Sequence, residues 1–213
     1  MRSFKLLLSI LLFLIFVGFS YLVQKNLFQH FDFDTTVRFQ NHIDATLAQR
    51  SWFDTLLSVL SLLGSVEFIA LILLIFLIIK RNLGLFLLIP AAFAGIHLLE
   101  LFGKLFVRHP GPPFMFFRYD INFMFPSSYV KPGYSYPSGH AARSTFISVI
   151  ILYFILKSKR FSPLQKKIIV SLFLVFNLAM MISRVYLGEH WTSDVIGGSV
   201  LGTAFGLFSI ALF

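Results

Sequence analysis

Residues 168–183, IIVSLFLVFNLAMMIS, and residues 192–213, TSDVIGGSVLGTAFGLFSIALF, are long apolar runs separated only by the polar turn 184–191, RVYLGEHW. A hydrocarbon core of roughly 30 Å demands about 17 to 25 apolar residues of a spanning helix; the second run fits that demand and the first comes within a residue of it. Working outward, further runs of the same kind occupy residues 4–23, 64–79, 83–103 and 138–156. With 57% hydrophobic residues, 13% charged and 28 phenylalanines, the chain is too apolar for a soluble domain of this length. The expected fold is all-α: a polytopic membrane bundle of six transmembrane helices, forming a single domain over residues 1–213. Arg2 and Lys5 precede the first run as they would in a secretory signal. The run is too long for one and no small-residue cleavage site follows, so it reads as a retained anchor.

Charge sets the expected orientation. Arg2, Lys5, Lys80, Arg81, Lys157, Lys159, Arg160, Lys166 and Lys167 lie at span ends on one side, with no acidic residue among them. By the positive-inside rule that side is cytoplasmic and holds both termini. The net charge of +9 thus belongs to cytoplasmic loops, which attract anionic lipid headgroups. Since it forms no continuous patch, nucleic acid is not an expected partner. Cysteine is absent, which removes disulfides, thiolate nucleophiles and thiolate metal sites.

Between the first two spans, Phe53, Leu56, Leu57 and Leu60 share one helical face, predicting a helix on or dipping into the outer interface with Trp52 at headgroup level. Gly64 is expected to break it from the next span. The loop 110–136, with Phe114, Phe116, Phe117, Tyr119, Phe123 and Phe125, is either a lid or lipid-tail groove, or an interfacial aromatic belt.

Two short strings at span boundaries carry the chemistry: Pro137-Ser138-Gly139-His140, and Ser183-Arg184 followed by His190 and Asp194. Ser138 stands at a helix N-cap position, where free N–H groups and the positive end of the helix dipole favour an anion and Gly139 permits close approach. In isolation that string reads first as a plain capping turn, and the second string is what turns the reading toward an anion site. His190 and Asp194 are four apart; on a shared helical face the carboxylate orients the imidazole through Nδ1 and leaves Nε2 as nucleophile. Arg184 offers a planar fork suited to phosphate oxygens, although an arginine at a boundary also snorkels to headgroups. Together the set supplies a nucleophile, its orienting partner, a cation, a proton donor and N–H groups for an anion.

These strings, with Lys104 upstream, resemble the signature of the phosphatidic acid phosphatase type 2 superfamily over residues 104–194. The resemblance implies that His190 forms a phosphoenzyme, His140 protonates the leaving group, and Asp194 positions the nucleophile. It also implies that Lys104, Ser138, Gly139 and Arg184 bind phosphate oxygens. The family's first motif places an arginine seven residues after its lysine, where this chain has Gly111 before Pro112. Arg108 is carried into the phosphate site as a hypothesis resting on a rearranged turn, ahead of Arg118. Glu100, four residues before Lys104, either presets it or forms a minor surface pair.

Lys104, Arg108 and Arg184 around one cavity favour an anion over a divalent cation, so neither a metal nor another cofactor is expected. His97 reads as a satisfied buried polar group, His30 and His42 as interfacial, and His109 is ambiguous. The expectation is a cell-membrane, multi-pass lipid phosphatase with an extracytoplasmic site, among membrane lipids. Undecaprenyl diphosphate, phosphatidylglycerol phosphate and phosphatidic acid are open as substrates. The competing readings are a lipid phosphotransferase and a non-catalytic lipid-phosphate-binding or transport protein.

Overall fold

Eight α-helices and a 3-10 turn are built from residues 2–46, 51–118 and 133–212, which the computed structural model describes. In chain order they are α1 (Arg2–Gln24), α2 (Gln29–Thr46), α3 (Ser51–Leu62), α4 (Val66–Lys80), α5 (Leu83–Phe106), α6 (Gly139–Lys157), α7 (Pro163–Tyr186) and α8 (Thr192–Ala211). The 3-10 turn Phe114–Phe116 lies between α5 and α6. There Phe116 packs inward against Phe33 and Trp191, while Phe114 faces outward. Tyr119, Phe123 and Phe125 lie outside the described residues.

The helices α1, α5, α6, α7 and α8 are each long and apolar enough to cross a membrane, as expected of a multi-pass membrane protein. The sixth span departs from expectation. At 15 residues, α4 is about 22 Å long, short of a hydrocarbon core of roughly 30 Å. It passes only together with the end of α3, from which it is bent by 48°. The bend has a local cause. Consecutive tight turns, Gly64 N–H to Ser61 and Ser65 N–H to Leu62, close α3, and the Ser65 hydroxyl accepts the Phe68 N–H at 3.2 Å to start α4. On α3, Phe53, Leu57 and Leu60 pack against Tyr186 and Leu187 as anticipated, but Leu56, at the edge of that stripe, is exposed.

The two most buried helices, α6 and α8, lie against each other along a stripe of small residues. A Cβ on Gly198 would strike the Ser138 carbonyl, one on Gly202 the Ala142 carbonyl, and one on Gly206 the Val149 side chain. Such positions allow backbones in a membrane to approach closely where no hydrophobic force between helices exists. Against α8 runs α1, whose Ser9 hydroxyl donates to the Ala204 carbonyl at 2.9 Å. Lys5 and Arg2 donate to the carbonyls of Ile210 at 2.7 Å and Ala211 at 3.0 Å, satisfying acceptors that a helix end leaves open. Lys5 and Lys157 also sit over the Tyr153 ring and Lys80 over Phe154. These basic residues therefore share one end of the bundle, opposite the start of α6. His97 is half satisfied: Nδ1 meets the Phe93 carbonyl at 2.8 Å, while buried Nε2 has no hydrogen-bond partner.

Candidate active site

The two motif strings meet because the first turns of α6 and α8 are joined. The Ser138 N–H donates to the Asp194 carbonyl at 3.0 Å. Upstream, Tyr136 is fully buried against Phe16, and its hydroxyl pairs with that of Ser20 at 2.9 Å. Ser138 occupies the N-cap position as expected, but its side chain makes no capping bond, and the buried hydroxyl has no hydrogen-bond partner. It is thus left as a polar group beside the first N–H groups of α6, which a helix start leaves unpaired.

His190 and Asp194 are brought together, though not as two members of one helix. Gly188 takes a left-handed φ of 72°, and a side chain there would strike the Phe116 carbonyl. The turn carries His190 to just before α8, which begins at Thr192 with Trp191 as its N-cap. One oxygen of Asp194 accepts the Trp191 N–H at 2.9 Å, reaching back over the helix start. His190 Nδ1 faces that same oxygen at 3.5 Å, beyond hydrogen-bond length, and makes no hydrogen bond among the described residues; catalytic pairs are often this loose before substrate binds. Because a carboxylate only accepts, this edge favours the tautomer with Nδ1 protonated and Nε2 carrying the lone pair. Burial pushes the His190 imidazole below its ordinary pKa; the Arg184 and Lys104 charges act in the same direction, and Asp194 opposes them.

Cations surround the two imidazoles. Arg184, buried in the last turn of α7, pairs with Glu189 and with the Ser61 hydroxyl. Lys104 Nζ meets Glu100 at 2.7 Å, so the anticipated pair forms. Its other carboxylate oxygen takes Arg143 at 3.0 Å, which the sequence reading did not foresee. Arg143 also donates through Nε to the Gly64 carbonyl at 3.0 Å, and its third nitrogen is 3.5 Å from His140 Nδ1. The break between α3 and α4 therefore supplies the acceptor that anchors this guanidinium. Arg184, Arg143, Lys104 and His190 all act electrostatically on His140. A Cβ on Gly139 would overlap the Glu100 carboxylate, so glycine is needed there for close packing.

Arg108 does not join this cluster. Its backbone is left-handed, at φ 54°, and its exposed side chain folds back to donate to the Leu105 carbonyl at 3.2 Å. That turn sends the next residue inward instead. Arg118 also points elsewhere, to Asp44 at 2.5 and 2.7 Å and to the Tyr186 hydroxyl at 3.3 Å. His109, left ambiguous from sequence, is buried with Nδ1 2.9 Å from the second oxygen of Asp194. Asp32 of α2, which drew no attention as a site residue, accepts both the N–H and the hydroxyl of Ser193, at 2.8 and 2.7 Å. It thereby caps α8 from a distant segment, and burial raises its carboxyl pKa above the usual range. The available signal for Arg143 was an arginine inside an apolar run, which is costly unless paired. Asp32 had no comparable signal.

Residues 81–213 match the PAP2 superfamily, more than half of the chain. The chain belongs to the PAP2 superfamily. It is 38% identical over 72 residues to phosphatidylglycerophosphatase B of Bacillus subtilis, a match covering 34% of this chain and 36% of that protein. It is 30% identical over 76 residues to a dihydrosphingosine 1-phosphate phosphatase of Saccharomyces cerevisiae, covering 36% of this chain and 19% of that one. The similarity thus spans well under half the length of either relative. Among solved structures, a transmembrane PAP2-type phosphatidylglycerolphosphate phosphatase from Bacillus subtilis superposes with a TM-score of 0.71 at 23% identity, over 96% of this chain and 94% of that one. Aquifex aeolicus LpxE superposes with a TM-score of 0.58 at 22% identity, over 84% and 94%. Both share the fold of this chain. In this PAP2 chain the groups gathered at the start of α6 and α8 suit capture of an anion and attack on it by an imidazole.

Proposed function

We propose that this PAP2 protein is a membrane lipid phosphatase that hydrolyses phosphate esters through a phosphohistidine intermediate. The observation that carries the reading is the convergence of two imidazoles, His190 and His140, with Lys104 and Arg184 beside an unpaired Ser138 hydroxyl. The names of the curated relatives favour a lipid phosphomonoester, with phosphatidylglycerol phosphate the first candidate. The location of the basic residues at the opposite end of the bundle supports an extracytoplasmic site in the cell membrane, with both termini cytoplasmic.

The substrate phosphate binds between the free N–H groups of α6 and the cations Lys104 and Arg184, with Ser138 donating a further hydrogen bond. His190 Nε2 attacks phosphorus and forms the P–N bond as the P–O bond to the lipid breaks. His140 delivers a proton to the departing oxygen, releasing the dephosphorylated lipid alcohol. It then takes a proton from water, whose oxygen attacks phosphorus, and the P–N bond breaks to release inorganic phosphate. Arg143, engaged with Gly64 and Glu100, holds the ring of His140 and is not a phosphate ligand. The cations and N–H groups stabilise charge on the equatorial oxygens of the transition state.

The test is phosphate release from phosphatidylglycerol phosphate, phosphatidic acid and undecaprenyl diphosphate by purified protein in detergent, beside His190→Ala. The wild type is expected to release phosphate and to be labelled at His190, whereas the variant does neither. Vanadate is expected to inhibit and EDTA is not. Equal release by both proteins would remove the case for this enzyme.

A further inference from the structure

We infer that His109 is a positioning residue that locks the Asp194 carboxylate against the nucleophilic imidazole, an inference resting on the reading that His190 attacks phosphorus. The contact between His109 Nδ1 and Asp194 Oδ1 is 2.9 Å, whereas His190 Nδ1 lies 3.5 Å from Oδ2. The side chains involved are almost sealed, with 6% of His109 and none of Asp194 exposed. The Trp191 N–H holds Oδ2 at 2.9 Å, so each oxygen has a donor before His190 is considered. A carboxylate pinned at both oxygens cannot rotate about its Cβ–Cγ bond. Its Oδ2 edge is therefore presented to His190 in one orientation, which fixes the direction of Nε2.

His109 is itself held on every side. The left-handed turn at Arg108 aims it inward, and its carbonyl accepts the Ser135 N–H at 2.9 Å. The following carbonyl, of Pro110, accepts the Trp191 indole N–H at 2.7 Å. Its Nε2 faces Asp32 at 3.9 Å, and Asp32 is in turn fixed by Ser193. A cavity of about 360 Å³, lined by His109, Asp32, Gln29 and Trp191 among others, lies against this imidazole. Truncating the ring would extend that cavity to Asp194 and admit water in place of a directional donor. A histidine that served only as a plug would be replaceable by any side chain of similar volume. The 2.9 Å contact instead demands an N–H at one place, which the side-chain amide of asparagine can supply.

The experiment compares His109→Leu and His109→Asn with wild type and His190→Ala, using full-length protein in detergent and the lipid phosphate that wild type turns over fastest. Steady-state kcat and KM are measured on monodisperse protein, with the rate of phosphoenzyme formation in a single turnover. His109→Leu is expected to lower kcat and the labelling rate on the order of 10- to 100-fold while KM stays within about twofold. His109→Asn is expected to recover most of the loss. An unchanged kcat in His109→Leu, a change confined to KM, or equal impairment of both variants would overturn the assignment. Wild type no more active than His190→Ala would instead sink the phosphatase reading itself.

Discussion

The main-chain N–H of Ser138 donates to the carbonyl of Asp194 at 3.0 Å. This bond ties the start of α6 to the start of α8, and with it the turn at Ser138 to the acid that faces His190. It exists because the glycines of α8 let α6 come within backbone contact. The arrangement at this end of the bundle thus depends on packing that continues down through it.

Gly202→Val tests that dependence. Its Cβ would fall on the Ala142 carbonyl and the Thr145 hydroxyl, and overpacking of this kind typically costs about 1–3 kcal/mol. We expect a lower melting temperature in detergent and reduced activity. Gly18→Ala, whose Cβ would meet nothing within 4 Å, should leave both unchanged.

Glu100 bridges Lys104 and Arg143, and the carboxylate is largely buried. Removing one member of such a pair leaves cations uncompensated, a change that generally costs about 3–5 kcal/mol. Glu100→Ala should therefore melt well below wild type and lose activity, since Lys104 and, through Arg143, His140 lose their support. A thermal shift paired with phosphate release measures both effects.

Arg108→Ala should keep kcat/KM within about twofold, because its side chain is turned to the Leu105 carbonyl and to solvent. Lys104→Ala and Arg184→Ala should each lose about a hundredfold or more, as expected when a preorganised donor to the transition state is removed. A loss in Arg108→Ala comparable to theirs would return that arginine to the phosphate.

The pH profile follows from His190. In the proposed mechanism attack requires the neutral ring, and burial holds its pKa below the ordinary imidazole value, which is about 6.5. The neutral fraction therefore persists as pH falls below 6.5 and declines only beneath the shifted pKa. Phosphoenzyme formation in single turnovers should show its acid limb below that point. An acid limb above it would contradict the burial seen here.

The spans were legible because hydropathy is a local property of the chain. Where the reading failed, a local turn intervened. At Gly64 and Ser65 the sequence signals a break, and the tight turns there bend α4 from α3 by 48°, leaving α4 too short to span alone. Likewise His190 and Asp194 have helical spacing, yet the left-handed Gly188 and the Asp194 bond to the Trp191 N–H start the helix after His190. The pairing of Glu100 with Lys104 was readable, being one helical turn apart. The reach of Arg143 to the same carboxylate was not, because it joins α6 to α5.

By itself the sequence determined that this chain crosses a membrane as helices, that its charge is unevenly divided among span ends, and which reactive groups stand at span boundaries. Those features follow from transfer of apolar side chains out of water and from helical periodicity, both governed by neighbours along the chain. Only the tertiary structure decided which groups meet: Arg108 turned away and His109 turned in, to a carboxylate 85 residues further on. The reason is geometric. A contact over that separation depends on how the helices are set against one another, and the glycine face of α8 and the left-handed turn at Arg108 fix that arrangement.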